Sequence, residues 1–171
     1  MTDCHFNSRS GLVRLVTLLL LMAALTGTAW LWAQNDSPIT ISDGSLTIDA
    51  AVPWSNFRGS GRNRTHPDGN RRVTQVAVTI NGNNQTIGYS GEKCTVTFRY
   101  ADTDFTVTTG NNGRGMQVST NFDDFDGGNT NRLSHKNRNS RISHVTVTKA
   151  GNTVINSDAS GGTRIVISYR Q

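Results

Sequence analysis

The sequence predicts an all-β protein: one β-sandwich of about ten strands, built from two internally repeated five-strand halves, with a closed barrel as the second choice. Three observations predict it. Beyond residue 33, Asn, Thr and Gly dominate, Glu92 is the only glutamate, and Leu46 and Leu133 are the only leucines. Helix formers are therefore scarce, while β-branched and turn-forming residues abound. Apolar residues recur at every second position, the period of a half-buried strand. Finally, THPDGNRRVTQVAVTINGN (65–83) and SHKNRNSRISHVTVTKAGN (134–152), offset by 69 residues, agree at eight of nineteen positions.

The repeat extends beyond this seed. The same offset pairs Val96 with Ile165, Phe98 with Ile167 and Tyr100 with Tyr169, and with one gap WSNFRGSG (54–61) aligns with FDDFDGGN (122–129). Both of the latter read aromatic, two residues, Phe, one residue, Gly. An internal duplication is expected, with repeats of about 38–101 and 103–171. Only Ala101 to Asp104 separate the halves, too few for a linker, and a half of this size would bury a thin core.

The first half is expected to supply strands at 39–42, 45–49, 72–81, 85–89 and 94–100. The second is expected to supply them at 105–109, 116–120, 141–149, 153–156 and 164–170. Each run alternates, so Val76, Val78 and Ile80 share one face, as do Val96, Phe98 and Tyr100, and Ile165, Ile167 and Tyr169. Asp43-Gly44, Asn81-Gly82, 110–115 and Ala150-Gly151-Asn152 supply the turns; Asn-Gly between alternating strands is a strong hairpin signal because both residues tolerate positive φ.

Residues 1–33 read as a secretory signal peptide: Arg9 and Arg14, the apolar run Leu15–Leu25, then small residues, with cleavage expected after Ala33. The alternative is an uncleaved anchor, since 15–33 carries no charge and just suffices to span a bilayer. Either way the remaining domain, 34–171, is expected outside the cytoplasm, extracellular or periplasmic. Removing 1–33 takes Cys4 with it and leaves Cys94 alone, so no internal disulfide can staple the fold. Three sequons, at Asn35, Asn63 and Asn84, carry no weight in so Asn- and Thr-rich a chain.

Removing Arg9, Arg14 and Asp3 from the chain's 17 basic and 12 acidic residues leaves 15 and 11. This mild positive balance permits an anionic partner without requiring one. No nucleic-acid-binding motif is present, and nucleic acid is not an expected partner. Any membrane association is expected only through the N-terminal segment, and oligomeric state is not readable.

The candidate site lies in two long loops, 50–71 and 121–140, one in each half. Trp54 and Phe57, with their counterparts Phe122 and Phe125, offer flat rings to sugar faces, or else staple the loops onto the sandwich. Arg62 and Arg64 with Arg132 and Arg138 suggest a rim for sulfate, phosphate or carboxylate groups, or else plain solvated charge, and Arg58 is a further binding candidate in the first loop. His66 and His135 occupy matching places, where both ring nitrogens can tie down loop backbone. No metal or cofactor is expected, and FDDFDGGN falls short of a calcium loop because Phe122 stands where the first carboxylate belongs. No nucleophile elbow, paired glutamates or phosphate loop occurs.

The expected function is a secreted, non-enzymatic module binding a glycan or anionic polymer through the two loops. The alternative is a structural or assembly protein of the cell envelope or matrix, with the segment QNDSPITIS pairing on a neighbour's sheet edge. A metal-dependent hydrolase comes third; it would need His66, His135 and the aspartates at 123, 124 and 126 to converge.

Overall fold

A computed structural model describes residues 37–170; the proposed export segment 1–33, Cys4 and Asn35 lie outside the described residues. Thirteen strands follow in order: β1 (Ser37–Ser42), β2 (Thr47–Asp49), β3 (Asn63–Thr65), β4 (Arg72–Ile80), β5 (Asn83–Gly88), β6 (Cys94–Tyr100), β7 (Thr103–Thr108), β8 (Gln117–Ser119), β9 (Phe125–Asp126), β10 (Arg132–His135), β11 (Ile142–Lys149), β12 (Asn152–Asp158) and β13 (Arg164–Arg170). Short 3₁₀ turns at Trp54–Asn56 and Phe122–Asp124 interrupt the long loops.

All ten expected strands are present. The three unexpected ones, β3, β9 and β10, lie inside the long loops and span two to four residues, too few for alternation to show. They form by pairing: β3 on β8, β10 on β2, and β9 on β10.

The strands make two antiparallel sheets, one ordered β5-β4-β13-β1-β2-β10-β9 and the other β12-β11-β6-β7-β8-β3. Neither sheet closes on itself, so the fold is a sandwich and not the barrel held as the second choice. Exchange β1 with β7, β2 with β8, β3 with β10, β4 with β11, β5 with β12 and β6 with β13. The first six strands of one sheet then become the other sheet, in the same order. The last strand of each half is the interlock. β13 sits between β4 and β1, and β6 sits between β11 and β7, so each half completes the other's sheet.

β1 lies mid-sheet, hydrogen-bonded on both sides, with Ile39 and Ile41 fully buried. Residues 37–42 of the segment QNDSPITIS therefore pair within their own chain's sheet.

Local geometry follows the residue types. Asn81-Gly82 and Ala150-Gly151 turn with both φ angles positive, 51° and 81° in the first and 52° and 84° in the second. That is the hairpin turn matching right-handed strand twist. Ala101-Asp102 does the same between β6 and β7, at 40° and 63°. Bulges fall at matching places: Thr74 Oγ1 donates to the Ser168 carbonyl (3.1 Å) and Ser143 Oγ to the Arg99 carbonyl (3.3 Å). The inward positions of both sheets form one apolar core, including Val76, Val78, Val96, Phe98, Phe105, Val107, Val145, Val147, Ile165 and Ile167. Cys94 is part of it, and burial pushes its thiol up to about 11, away from reactive thiolate.

Candidate functional site

The two long loops meet along one edge of the sandwich, where they supply β3 to one sheet and β10 and β9 to the other. The Trp54 backbone N–H donates to the Thr130 carbonyl (2.9 Å), and the Thr120 N–H to the Arg62 carbonyl (2.9 Å). Trp54 is 0% exposed, stacks on Phe57 with centroids 4.6 Å apart, and lies 6.3 Å from Phe122. Its Nε1–H donates to the Ile48 carbonyl at 3.3 Å.

The histidines complete two matching aromatic clusters. His66 meets Phe57 (5.2 Å) and Tyr169 (5.3 Å) edge-on; His135 meets Phe125 (5.3 Å) and Tyr100 (5.1 Å) edge-on. Each tyrosine comes from the exchanged last strand of the other half, so these clusters pin the interlock. His66 Nδ1 accepts the Asp68 backbone N–H (3.1 Å), and His135 Nδ1 accepts that of Asn137 (3.0 Å). The proton of a neutral ring then resides on Nε2. Burial lowers the pKa of His66, whose Nε2 has no hydrogen-bond partner.

These positions reassign six of the expected ligand-binding residues. Trp54, Phe57, His66, Phe122, Phe125 and His135 are all buried. Their ring faces are covered by protein and present no platform to a sugar. Nor do His66 and His135 converge on each other: they lie in two separate aromatic clusters, although His135 is the register partner of Phe125, which Asp124 and Asp126 flank. Among the described residues, no group of three or more His, Cys, Asp and Glu is placed to hold a metal.

The arginines divide. Arg64 lies over Phe122, its guanidinium carbon 4.0 Å from the ring centre, and Arg132 forks onto Asp49 at 2.6 and 3.1 Å across β10 and β2. Arg58, Arg62 and Arg138 are exposed and remain available. The rim expected from four arginines is thus reduced to Arg62 and Arg138, with Arg58 the further exposed candidate.

Sequence reasoning passed over a different surface, the outer face of the six-stranded sheet. Register places Thr148, Thr95, Thr108 and Gln117 in one row across β11, β6, β7 and β8, and Thr146, Thr97, Thr106 and Ser119 in the next. A third row runs Asp158, His144, Arg99, Asp104. Facing hydroxyls of Thr95 and Thr108, and of Thr97 and Thr106, lie 3.1 Å apart. Arg99 forks onto Asp104 at 2.9 and 3.3 Å. His144 reaches Asp158 Oδ1 through Nδ1 and Asn156 Oδ1 through Nε2, both at 2.8 Å.

Two acceptors around one ring favour the doubly protonated imidazolium. Asp158 first and Asn156 second raise the pKa of His144 accordingly. Thr97, Arg99, Asp104, His144 and Thr146 line a shallow groove of about 380 Å³. It offers cationic donors, a carboxylate and hydroxyls within one strand spacing of each other, and no aromatic side chain. Its signal was present in CTVTFRY, FTVT and HVTVT, whose outward positions carry the threonines, Arg99 and His144. The adjacency of β11 to β6, strands from different halves, was not.

Comparison with protein-family models, with curated proteins and with solved structures finds no match to this chain.

Proposed function

We propose that the chain is an exported, non-enzymatic module that holds an extracellular glycan by hydrogen bonds on the outer face of its six-stranded sheet. The groove of Thr97, Arg99, Asp104, His144 and Thr146 carries this reading. Vicinal sugar hydroxyls both donate and accept, and the groove sets donors and acceptors side by side on rigid strands. Ring stacking is not part of the account: among the described residues the large apolar side chain left exposed is Val154, at 45%. We further infer that the matched strand orders and the matched histidine clusters come from duplication of one ancestral half.

The test is retention of the purified chain on insoluble cellulose, chitin, xylan and β-glucan at low and high salt. The proposal expects retention on at least one matrix that survives high salt, and its loss in the double variant Arg99→Ala/His144→Ala with unchanged melting. Retention on none, or equal retention of the variant, contradicts it. Retention abolished by salt alone would return the function to loop arginines Arg58, Arg62 and Arg138.

A second reading, assembly through sheet edges, rests on β5. This edge strand, NNQTIG, is largely exposed and carries no charge and no proline, the usual guards of a free edge. Oligomers that disappear on Gln85→Lys in light-scattering measurements would favour it; a monomer at all concentrations would remove it.

A further inference from the structure

A second charged surface lies on the opposite outer face, at the end of the seven-stranded sheet. β5 pairs with β4 only from Gln75 onward. Beside Arg72, at the start of β4, the β7–β8 loop takes the vacated place, and Arg114 forms an isolated antiparallel bridge with Arg72. On the other side, Arg170 of β13 is the register partner of Arg72. Residues directly opposite in antiparallel pairs project to the same side. Three arginines, Arg114, Arg72 and Arg170, therefore stand in one row, and all three are exposed.

Like charges directly opposite each other destabilise a sheet. Among the described residues no carboxylate forms an ion pair with any of the three: Asp68 pairs with Arg71, Asp104 with Arg99, Asp49 with Arg132 and Glu92 with Lys149. Nor is the row part of what the two halves share. Arg141, at the place of Arg72, donates instead to the Asp43 carbonyl (3.1 Å), and Ala101 stands where Arg170 does. The eight residues from Thr109 to Met116, which carry Arg114, correspond to only four between β1 and β2. The matched devices of this fold serve its packing; this one is unmatched and costs stability.

We propose that Arg72, Arg114 and Arg170 form a binding row for a linear acidic polysaccharide, each guanidinium fork taking a sulfate or carboxylate group. Adjacent strands lie about 4.8 Å apart, so the row spans roughly 10 Å. That is more than one oxyanion occupies, and it suits successive charges along a polymer. The chain's formal net charge is only +5, so attraction of this kind is local to the row and not a property of the whole surface.

The test titrates the full chain with dextran sulfate, neutral dextran and a single-stranded oligonucleotide of matched charge, at several salt concentrations. The expected result is salt-sensitive binding of dextran sulfate, with neutral dextran and the oligonucleotide clearly weaker. The variant Arg72→Ala/Arg114→Ala/Arg170→Ala should bind dextran sulfate about tenfold more weakly or less. Its thermal midpoint without ligand should be unchanged or higher, because repulsion is relieved. Arg99→Ala/His144→Ala should bind dextran sulfate as the parent does, which separates failure here from failure of the groove. Undiminished binding by the triple variant, no binding by the parent, or equal binding of the oligonucleotide overturns the proposal.

Discussion

Replacing Trp54 by alanine tests whether the long loops are packing devices or binding surfaces. The indole is fully buried, stacked on Phe57 at 4.6 Å and near Phe122 at 6.3 Å, and its N–H serves the Ile48 carbonyl in β2. Truncating a buried tryptophan costs about 3–5 kcal/mol, from lost transfer energy and the cavity left between the loops. Domains typically have about 5–15 kcal/mol of total stability, so this is a large fraction of it. At about 3–4 °C per kcal/mol for a fold of this size, the midpoint should fall by roughly 9–20 °C. Circular-dichroism melts of the parent and Trp54→Ala measure it directly. Trp54→Phe keeps an aromatic ring against Phe57 but loses the N–H donor, and should cost about 1–3 kcal/mol. If Trp54→Ala melts within about 2 °C of the parent, the loop rings face solvent and their reassignment to the core fails.

Three more outcomes follow from the packing. His66 has a folded pKa below its ordinary 6.5, so above that pH both states are neutral and it costs nothing; as pH falls below 6.5 the unfolded chain takes up a proton that the folded one resists, and stability declines. Denaturant titrations between pH 7 and 4.5 should show a shallower decline in His66→Gln than in the parent, and an equal decline would refute this. Ala150 holds φ at 52° where its counterpart in the other hairpin is Asn81, so Ala150→Asn should raise the midpoint by roughly 2–4 °C; a decrease in a calorimetric scan would contradict the turn assignment. Because each half supplies the other's central strand, fragments 37–101 and 103–170 should show no cooperative melt alone; a cooperative transition in either would contradict the interlock.

Strand positions were legible because inward residues such as Val96, Phe98 and Tyr100 alternate with Thr95, Thr97 and Arg99, and that period survives any tertiary context. Hairpin turns were legible from Asn81-Gly82 and Ala150-Gly151. The interlock was not: that β13 inserts between β4 and β1 is a choice of partner nearly a hundred residues away, and no local pattern encodes it. The loop aromatics misled for a related reason. The spacing from Trp54 to Phe57 is the same whether the rings stack on a sugar or on each other, and what decides is the arrival of Thr130 and Phe122 from the other half. Outward threonines, read only as good strand formers, became a surface once β11 lay beside β6. The arginine row was hidden similarly, since Arg72, Arg114 and Arg170 lie far apart in the chain and meet only through register.

The place where a sugar touches the fold tests the central claim most directly. Backbone amide shifts of the labelled chain would be followed during titration with soluble cello-, chito-, xylo- and laminari-oligosaccharides. The account predicts that at least one of them moves the amides around Thr97, Arg99, His144 and Thr146 while 54–66 and 122–138 stay still. Movement confined to those loops, or none with any of the four, would contradict it.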